Sequence, residues 1–235
     1  VGERFLAPAL WSLGIERVDY MVLSHPHPDH LQGLIFIARN LKIGEFWEGG
    51  TVSSDEEYLA LKGVLATKGV VCRRGRAGIP NIPGVNISLL SMEGGEDIYD
   101  GNRVSDVNEK SLVFTVSINR FAVLFSGDIG LRSEERLLRL NKLPRCTILK
   151  VAHHGSRYSS STAMLSAVAP EVAVISAGFR NVFGLPAAST LAALHASGAR
   201  IMRTDLDGTV EVVYSKSSDS WIIRRLAVPF SLTSL

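Results

Sequence analysis

The chain has 235 residues, of which 46% are hydrophobic and 20% charged, and its 25 basic and 23 acidic side chains leave a formal net charge of +2. That length suits one α/β domain, residues 1–235, with a sizeable core, and the composition excludes a disordered chain. The near-neutral balance argues against strong non-specific attraction to nucleic acid, and no apolar run reaches the roughly 20 residues that a membrane-spanning helix needs.

Short apolar runs alternate with helix-like stretches along the chain. Residues 18–24 (VDYMVLS) have the β-branched character of a buried strand. A helix is predicted over 31–40, a strand at IGEFW, and a second helix over 54–68, whose first turn carries Ser and acidic residues. VNISLL at 85–90 reads as a strand and 91–109 as a long polar loop. SLVFTVSI and FAVLFSGD flank Asn119-Arg120 and predict an antiparallel hairpin. A helix at 132–141, the strand CTILKV, a helix at 161–168, the strand EVAVISAG and a helix over 187–197 follow. TVEVVYS and SWIIRRL close the series as strands. Without internal repeats or a dividing linker, this order favours layered α/β packing.

Cys72 and Cys146 do not make a disulfide framework, and their apolar neighbours place both in the expected core. Arg73, Arg74 and Arg76 form the tightest basic cluster, read as a solvated loop or, alternatively, a phosphate contact. The chain begins at Val1 rather than Met, as an excised or processed piece of a longer protein would.

The densest chemistry lies in SHPHPDH, residues 24–30, directly after a predicted strand. His25, His27, Asp29 and His30 supply imidazoles and a carboxylate, the ligand types that suit zinc and similar divalent cations. Pro26 and Pro28 argue against a regular helix through the segment; in an extended turn His25 and His27 face one way and Asp29-His30 another. Asp128 in LFSGDI follows an apolar run, and a buried carboxylate there needs a cation or strong hydrogen bonds. In LKVAHHGS, His153 and His154 face different directions, so one is free to ligate while the other meets a leaving group or phosphate. His195, near a helix end, reads as a capping residue. There is no GxSxG elbow, Walker loop or GxGxxG fingerprint.

The ordered set SHPHPDHLQG, LFSGDIG, LKVAHHGSRYSS and ISAGFRNVFGLP resembles the metallo-β-lactamase superfamily, and within it the hydrolase domain of ComEC/Rec2 DNA-internalisation proteins. The likeness runs from about Phe5 to about Val213. It implies a four-layer αββα sandwich, here expected to lack its opening strands. His25 and His27 match ligands of one metal position, Asp29 and His30 those of the other, and Asp128 the bridging carboxylate; His153 is carried as a ligand and His154 as a catalytic residue. Two further departures stand out: Asn108 occupies a position where many members have a histidine ligand, and Leu185 one where relatives have His before Pro.

The resemblance therefore implies a metal-dependent phosphodiesterase or nuclease acting on single-stranded DNA during uptake. It would use one or two Zn2+ or Mn2+ ions, with Asp29, Asp128 and His154 in catalysis. The domain would be soluble and attached to a bacterial membrane-channel protein. Two other readings stay open: a hydrolase of small phosphodiesters, and a catalytically degenerate binding module.

Overall fold

A computed structural model describes residues 2–49, 51–91 and 107–226. The chain resolves into two compact units, the first comprising 1–82 and 87–114, the second 83–86 and 115–235. The polar loop expected over 91–109 lies, for residues 92–106, outside the described residues. No helix among the described residues is long and apolar enough to cross a membrane.

The first unit opens with α1 (Ala7–Ser12), followed by β1 (Arg17–Leu23), α2 (Pro28–Asn40), β2 (Lys42–Glu48), α3 (Glu56–Thr67) and β3 (Val71–Arg74). The three strands form a parallel sheet in the order β1-β2-β3, with Leu23 opposite Glu48 at the ends of β1 and β2. Parallel neighbours need a crossover, and α2 and α3 supply it. Their apolar stripes (Leu31, Ile37, Leu61 and Leu65) bury with Met21, Leu23 and Phe46. The Trp47 indole, also buried, donates to the Gly75 carbonyl at 2.7 Å, so its polar edge stays satisfied in the core.

Three expectations change here. Helix α2 begins at Pro28 rather than residue 31: proline is tolerated at the first helical position, where its missing N–H would have had no helical partner. Arg73 and Arg74 lie on a strand rather than in a loop, Arg73 pairing with Glu45 at 2.7 Å and Arg74 with Glu48 at 3.1 Å. Cys72 is exposed, because β3 is a four-residue strand at the end of its sheet with solvent-facing side chains; Cys146 is buried as expected.

The second unit carries β5 (Phe114–Ile118) from Thr115 onward, β6 (Phe121–Phe125), α4 (Leu131–Arg139), β7 (Ile148–Lys150), α5 (Thr162–Val168), β8 (Val172–Ile175), α6 (Ala188–Ala196) and β9 (Arg200–Arg203). A short α7 (Thr204–Asp207), β10 (Thr209–Ser215) and β11 (Ser220–Leu226) complete it. Asn119, at φ 51°, makes the two-residue hairpin between β5 and β6, as predicted. β4 (Asn86–Leu89) brings its Asn86 end beside β5, where the Ser117 hydroxyl donates to the Asn86 carbonyl.

Strands β6, β7, β8 and β9 run parallel and side by side, in a register that aligns Phe125, Lys150 and Val174. Ile148, Val172 and Met202 form their buried centre, packed with Val210, Val212, Trp221 and Ile223 of the antiparallel β10-β11 ladder. The consequence for chemistry is direct. The segments that leave β6, β7 and β8 all emerge at one edge, the carboxyl ends where open α/β sheets bind ligands. These are the SGD, HHG and SAGFRN segments. The mixed α/β class is as expected, and each unit by itself combines a sheet with covering helices.

Candidate metal centre

In the first unit the chain leaves β1 at Leu23 and turns sharply into α2. His25 is fully enclosed there, and His27 is the residue immediately before the helix. The His27 carbonyl accepts from the N–H groups of His30 and Leu31, at 3.0 and 3.1 Å, which starts the helix. Asp29 thus falls in the first turn, where the helix dipole favours a carboxylate.

This geometry gathers three imidazoles. The His25 ring lies 4.7 Å from that of His27, edge to face, and 4.2 Å from that of His30. The Ser24 hydroxyl contacts Nδ1 of His25 at 3.1 Å and Nδ1 of His30 at 3.3 Å. Ser111, delivered by the short turn Asn108–Lys110, adds its hydroxyl to His25 Nδ1 at 3.2 Å. Both rings are therefore held from their Nδ1 side, which makes Nε2 the candidate ligand nitrogen. Asp29 and His30 each offer one ligand atom, with Asp29 Oδ2 lying 3.7 Å from His30 Nε2.

In the second unit, Asp128 follows β6 through Gly127, whose φ of 55° suits glycine. The Asp128 carboxylate is buried. The Ser126 hydroxyl donates to the Lys150 carbonyl at 2.5 Å, and the Gly127 carbonyl accepts the His153 N–H at 3.2 Å, so the SGD and HHG turns are stitched together.

His153 and His154 both adopt left-handed backbone angles, φ 48° and 54°, followed by Gly155 at φ 81°. Two successive non-glycine residues in that region cost on the order of 1–3 kcal/mol each and are typical of functional turns. The result is divergence. His154 Nε2 lies 3.4 Å from Asp128 Oδ2, while its Nδ1 donates to the Ser176 carbonyl at 2.7 Å. The His153 ring sits 6.5 Å from that of His154. Asp128 and His154 are the second unit's pair of candidate ligand atoms.

Leu185 precedes Pro186, which packs against Gly155: a β-carbon on Gly155 would stand 2.5 Å from the Pro186 Cβ. His195 is exposed near the end of α6, where its carbonyl accepts from Gly198. Sequence reasoning missed Ser24 and Ser111 as orienting groups. Ser24 adjoins the histidine run and was open to discovery, whereas Ser111 lies 86 residues from His25 and carries no local signal.

A family model described as the metallo-beta-lactamase superfamily matches residues 2–178. Among curated proteins, ComE operon protein 3 of Bacillus subtilis is 25% identical over 91% of this chain and 27% of its own length. Competence protein ComA of Neisseria gonorrhoeae is 28% identical over 88% of this chain and 27% of its own. Recombination protein 2 of Haemophilus influenzae is 35% identical over 90% of this chain and 24% of its own. The chain thus spans about a quarter of the length of these relatives.

Proposed function

This chain belongs to the metallo-β-lactamase superfamily of metal-dependent hydrolases, and from that membership we propose that it hydrolyses phosphodiester bonds of DNA, as one part of a longer protein engaged in DNA uptake. In this proposal His25, His27, Asp29 and His30 are the first unit's ligands for a divalent ion, Zn2+ or Mn2+, and Asp128 and His153 are the second unit's. Bound there, such an ion supplies Lewis acidity toward water and toward a phosphoryl oxygen.

The observation that carries the reading is the Ser24 hydroxyl bridging the Nδ1 atoms of two packed histidines. Ligating histidines characteristically have the remote ring nitrogen held by an oxygen partner, which sets both tautomer and orientation. A donor set of imidazoles and carboxylates fits a borderline divalent ion. The names of the relatives, competence and recombination proteins, support DNA as the substrate class.

His154 is assigned to the leaving group. Its Nδ1–H is committed to the Ser176 carbonyl, so Nε2, 3.4 Å from Asp128 Oδ2, is the ring atom assigned to that role. Acting as a general acid, Nε2 would donate a proton to the departing oxygen. His153, whose ring lies 6.5 Å from that of His154, is kept in this proposal as a ligand. Asp29, exposed in the first helical turn, is available to accept a proton from the attacking water as well as to ligate.

The test uses the chain stripped with a chelator and assayed on bis-p-nitrophenyl phosphate and on circular single-stranded DNA. Mn2+ or Zn2+ is expected to restore cleavage of both, and Asp128→Asn to abolish it. Turnover that needs no metal, or survives Asp128→Asn, overturns the proposal. Cleavage of the small ester alone would point to a small-molecule phosphodiesterase, and metal binding without any turnover to a binding module.

A further inference from the structure

The residues between β8 and α6 form a loop with unusual exposure of apolar side chains. Phe179 is 64% exposed, Val182 93% and Phe183 81%. Water contact on this scale is costly for a monomeric surface unless a partner covers it. The loop is nonetheless well held. The Asn181 side chain donates to the carbonyls of Gly178 and Leu185, at 3.0 and 2.7 Å, and accepts from the Leu185 N–H at 3.0 Å. Thr204 clamps the entry, its hydroxyl accepting from the Ala177 N–H and donating to the Ala177 carbonyl.

Both ends of this arch are tied to the turn that carries His154. At one end the Ser176 carbonyl accepts from His154 Nδ1; at the other the Ala187 N–H donates to the Gly155 carbonyl at 2.9 Å. Whatever lies on the arch is therefore next to whatever reacts at His154. The arch also carries a cation: the Arg180 guanidinium sits 5.1 Å from the centre of the Phe179 ring. Arg157 and Tyr158, the second and third residues after Gly155, are exposed as well.

From this placement we infer that Phe179, Arg180 and Phe183 form a stacking platform for an unpaired base of a single-stranded nucleic acid whose phosphate lies at His154. Flat apolar rings receive the face of any base, and an arginine beside them pairs with the flanking phosphate while stacking on the ring. Charge is what favours this occupant: an anionic strand complements Arg180 and Arg157, and the arch leads straight to the group assigned to phosphodiester cleavage. A duplex keeps its base faces stacked inside the helix and has none to offer. The inference names the substrate of the phosphodiesterase reading and rests on it for the role of His154.

The experiment measures binding of a fluorescently labelled oligothymidylate, and of a duplex of equal length, to the full 235-residue chain. Chelator is present throughout, so affinity is read without cleavage. The single strand is expected to bind more tightly than the duplex. Phe179→Ala and Phe183→Ala are each expected to weaken single-strand binding by about tenfold, as loss of one stacked base does. Phe183→Trp should retain it, with indole fluorescence quenched by the oligonucleotide. Unaltered melting of each variant shows that the fold is intact, and Arg180→Gln, which keeps the backbone and most of the side chain, gives a second reading should an alanine variant misfold. Equal affinity for the duplex, or no loss in the phenylalanine variants, overturns the inference. So does binding of the arch to phosphatidylglycerol vesicles, or a change of oligomeric state in the variants, without an effect on the oligonucleotide. Loop-dependent binding by a chain that cleaves nothing would sink the hydrolase proposal and leave the platform standing.

Discussion

His154 Nδ1 donates to the Ser176 carbonyl at 2.7 Å, tying the HHG turn to the end of the neighbouring parallel strand. A carbonyl only accepts, so this contact decides the tautomer of the ring and puts its chemistry at Nε2, 3.4 Å from Asp128. The loops at the ends of β6, β7 and β8 thus hold one another in place through main-chain groups, and a handful of side chains outside the ligand set carry testable weight.

Ser24 is the first. Its hydroxyl orients both His25 and His30, so Ser24→Ala leaves two rings less constrained while removing no ligand. Affinity for Zn2+ or Mn2+ is expected to fall by roughly 10–100-fold, the usual effect of losing an outer partner of metal-bound histidine. Competition titration against a chromophoric chelator measures it; affinity within twofold of the parent chain would speak against Ser24 as an orienting group.

Leu185 is the second. The Asn181 side chain fixes its backbone on both sides, and the following Pro186 packs on Gly155, beside His154. Leu185→His places an imidazole where relatives were expected to have one. Bound divalent metal per chain, measured by atomic emission, is expected to rise in this variant, and cleavage of bis-p-nitrophenyl phosphate to rise with it. An unchanged metal content would show that residue 185 does not reach the ion.

Gly155 tests the strained turn. It combines a φ of 81° with a position where a β-carbon would come within 2.5 Å of Pro186. Gly155→Ala is expected to destabilise the fold by about 2 kcal/mol or more, through backbone strain and displacement of the proline. Urea unfolding gives the number, and a loss below about 0.5 kcal/mol would mean that the turn relaxes freely.

A charged network in the first unit sets an alkaline limit. Buried Glu48 accepts from the Tyr58 hydroxyl at 2.9 Å, Lys62 at 2.9 Å and Arg74 at 3.1 Å. Burial, and then the hydrogen bond to Glu48, push the Tyr58 phenol up from 10.0 to about 12. The folded chain keeps this proton after the unfolded chain has lost it. The contribution is therefore complete below pH 10 and disappears as pH rises from 10 toward 12. Tyr58→Phe should flatten the fall in stability between pH 10 and about 12, measured by urea unfolding. Glu48→Ala should cost about 2 kcal/mol at pH 7, less than a fully buried pair because Lys62 and Arg74 reach solvent.

Much of this was legible along the chain. Ligand chemistry is a property of residue type and short spacing, so His25, His27, Asp29 and His30 marked a candidate metal loop, and Asp128 and the His153-His154 pair marked two further turns. Strands long enough to show β-branched runs, and helices with acidic first turns, were found close to their places. Pro28 was misjudged as a helix breaker because its effect depends on whether it falls at the first helical position or later. Strands β3 and β9, four residues each with charged ends, are too short to show a period.

Tertiary structure decided the rest, because those choices depend on which distant groups arrive at the same point. Only the fold brings Ser111 to His25 across 86 residues, pairs Arg73 and Arg74 with Glu45 and Glu48, and leaves Cys72 in solvent. It also separates two adjacent histidines that composition treats alike. The left-handed HHG turn, held by Gly127 and Ser176, sends the ring of His154 to Asp128 and sets that of His153 6.5 Å away from it at a steep angle.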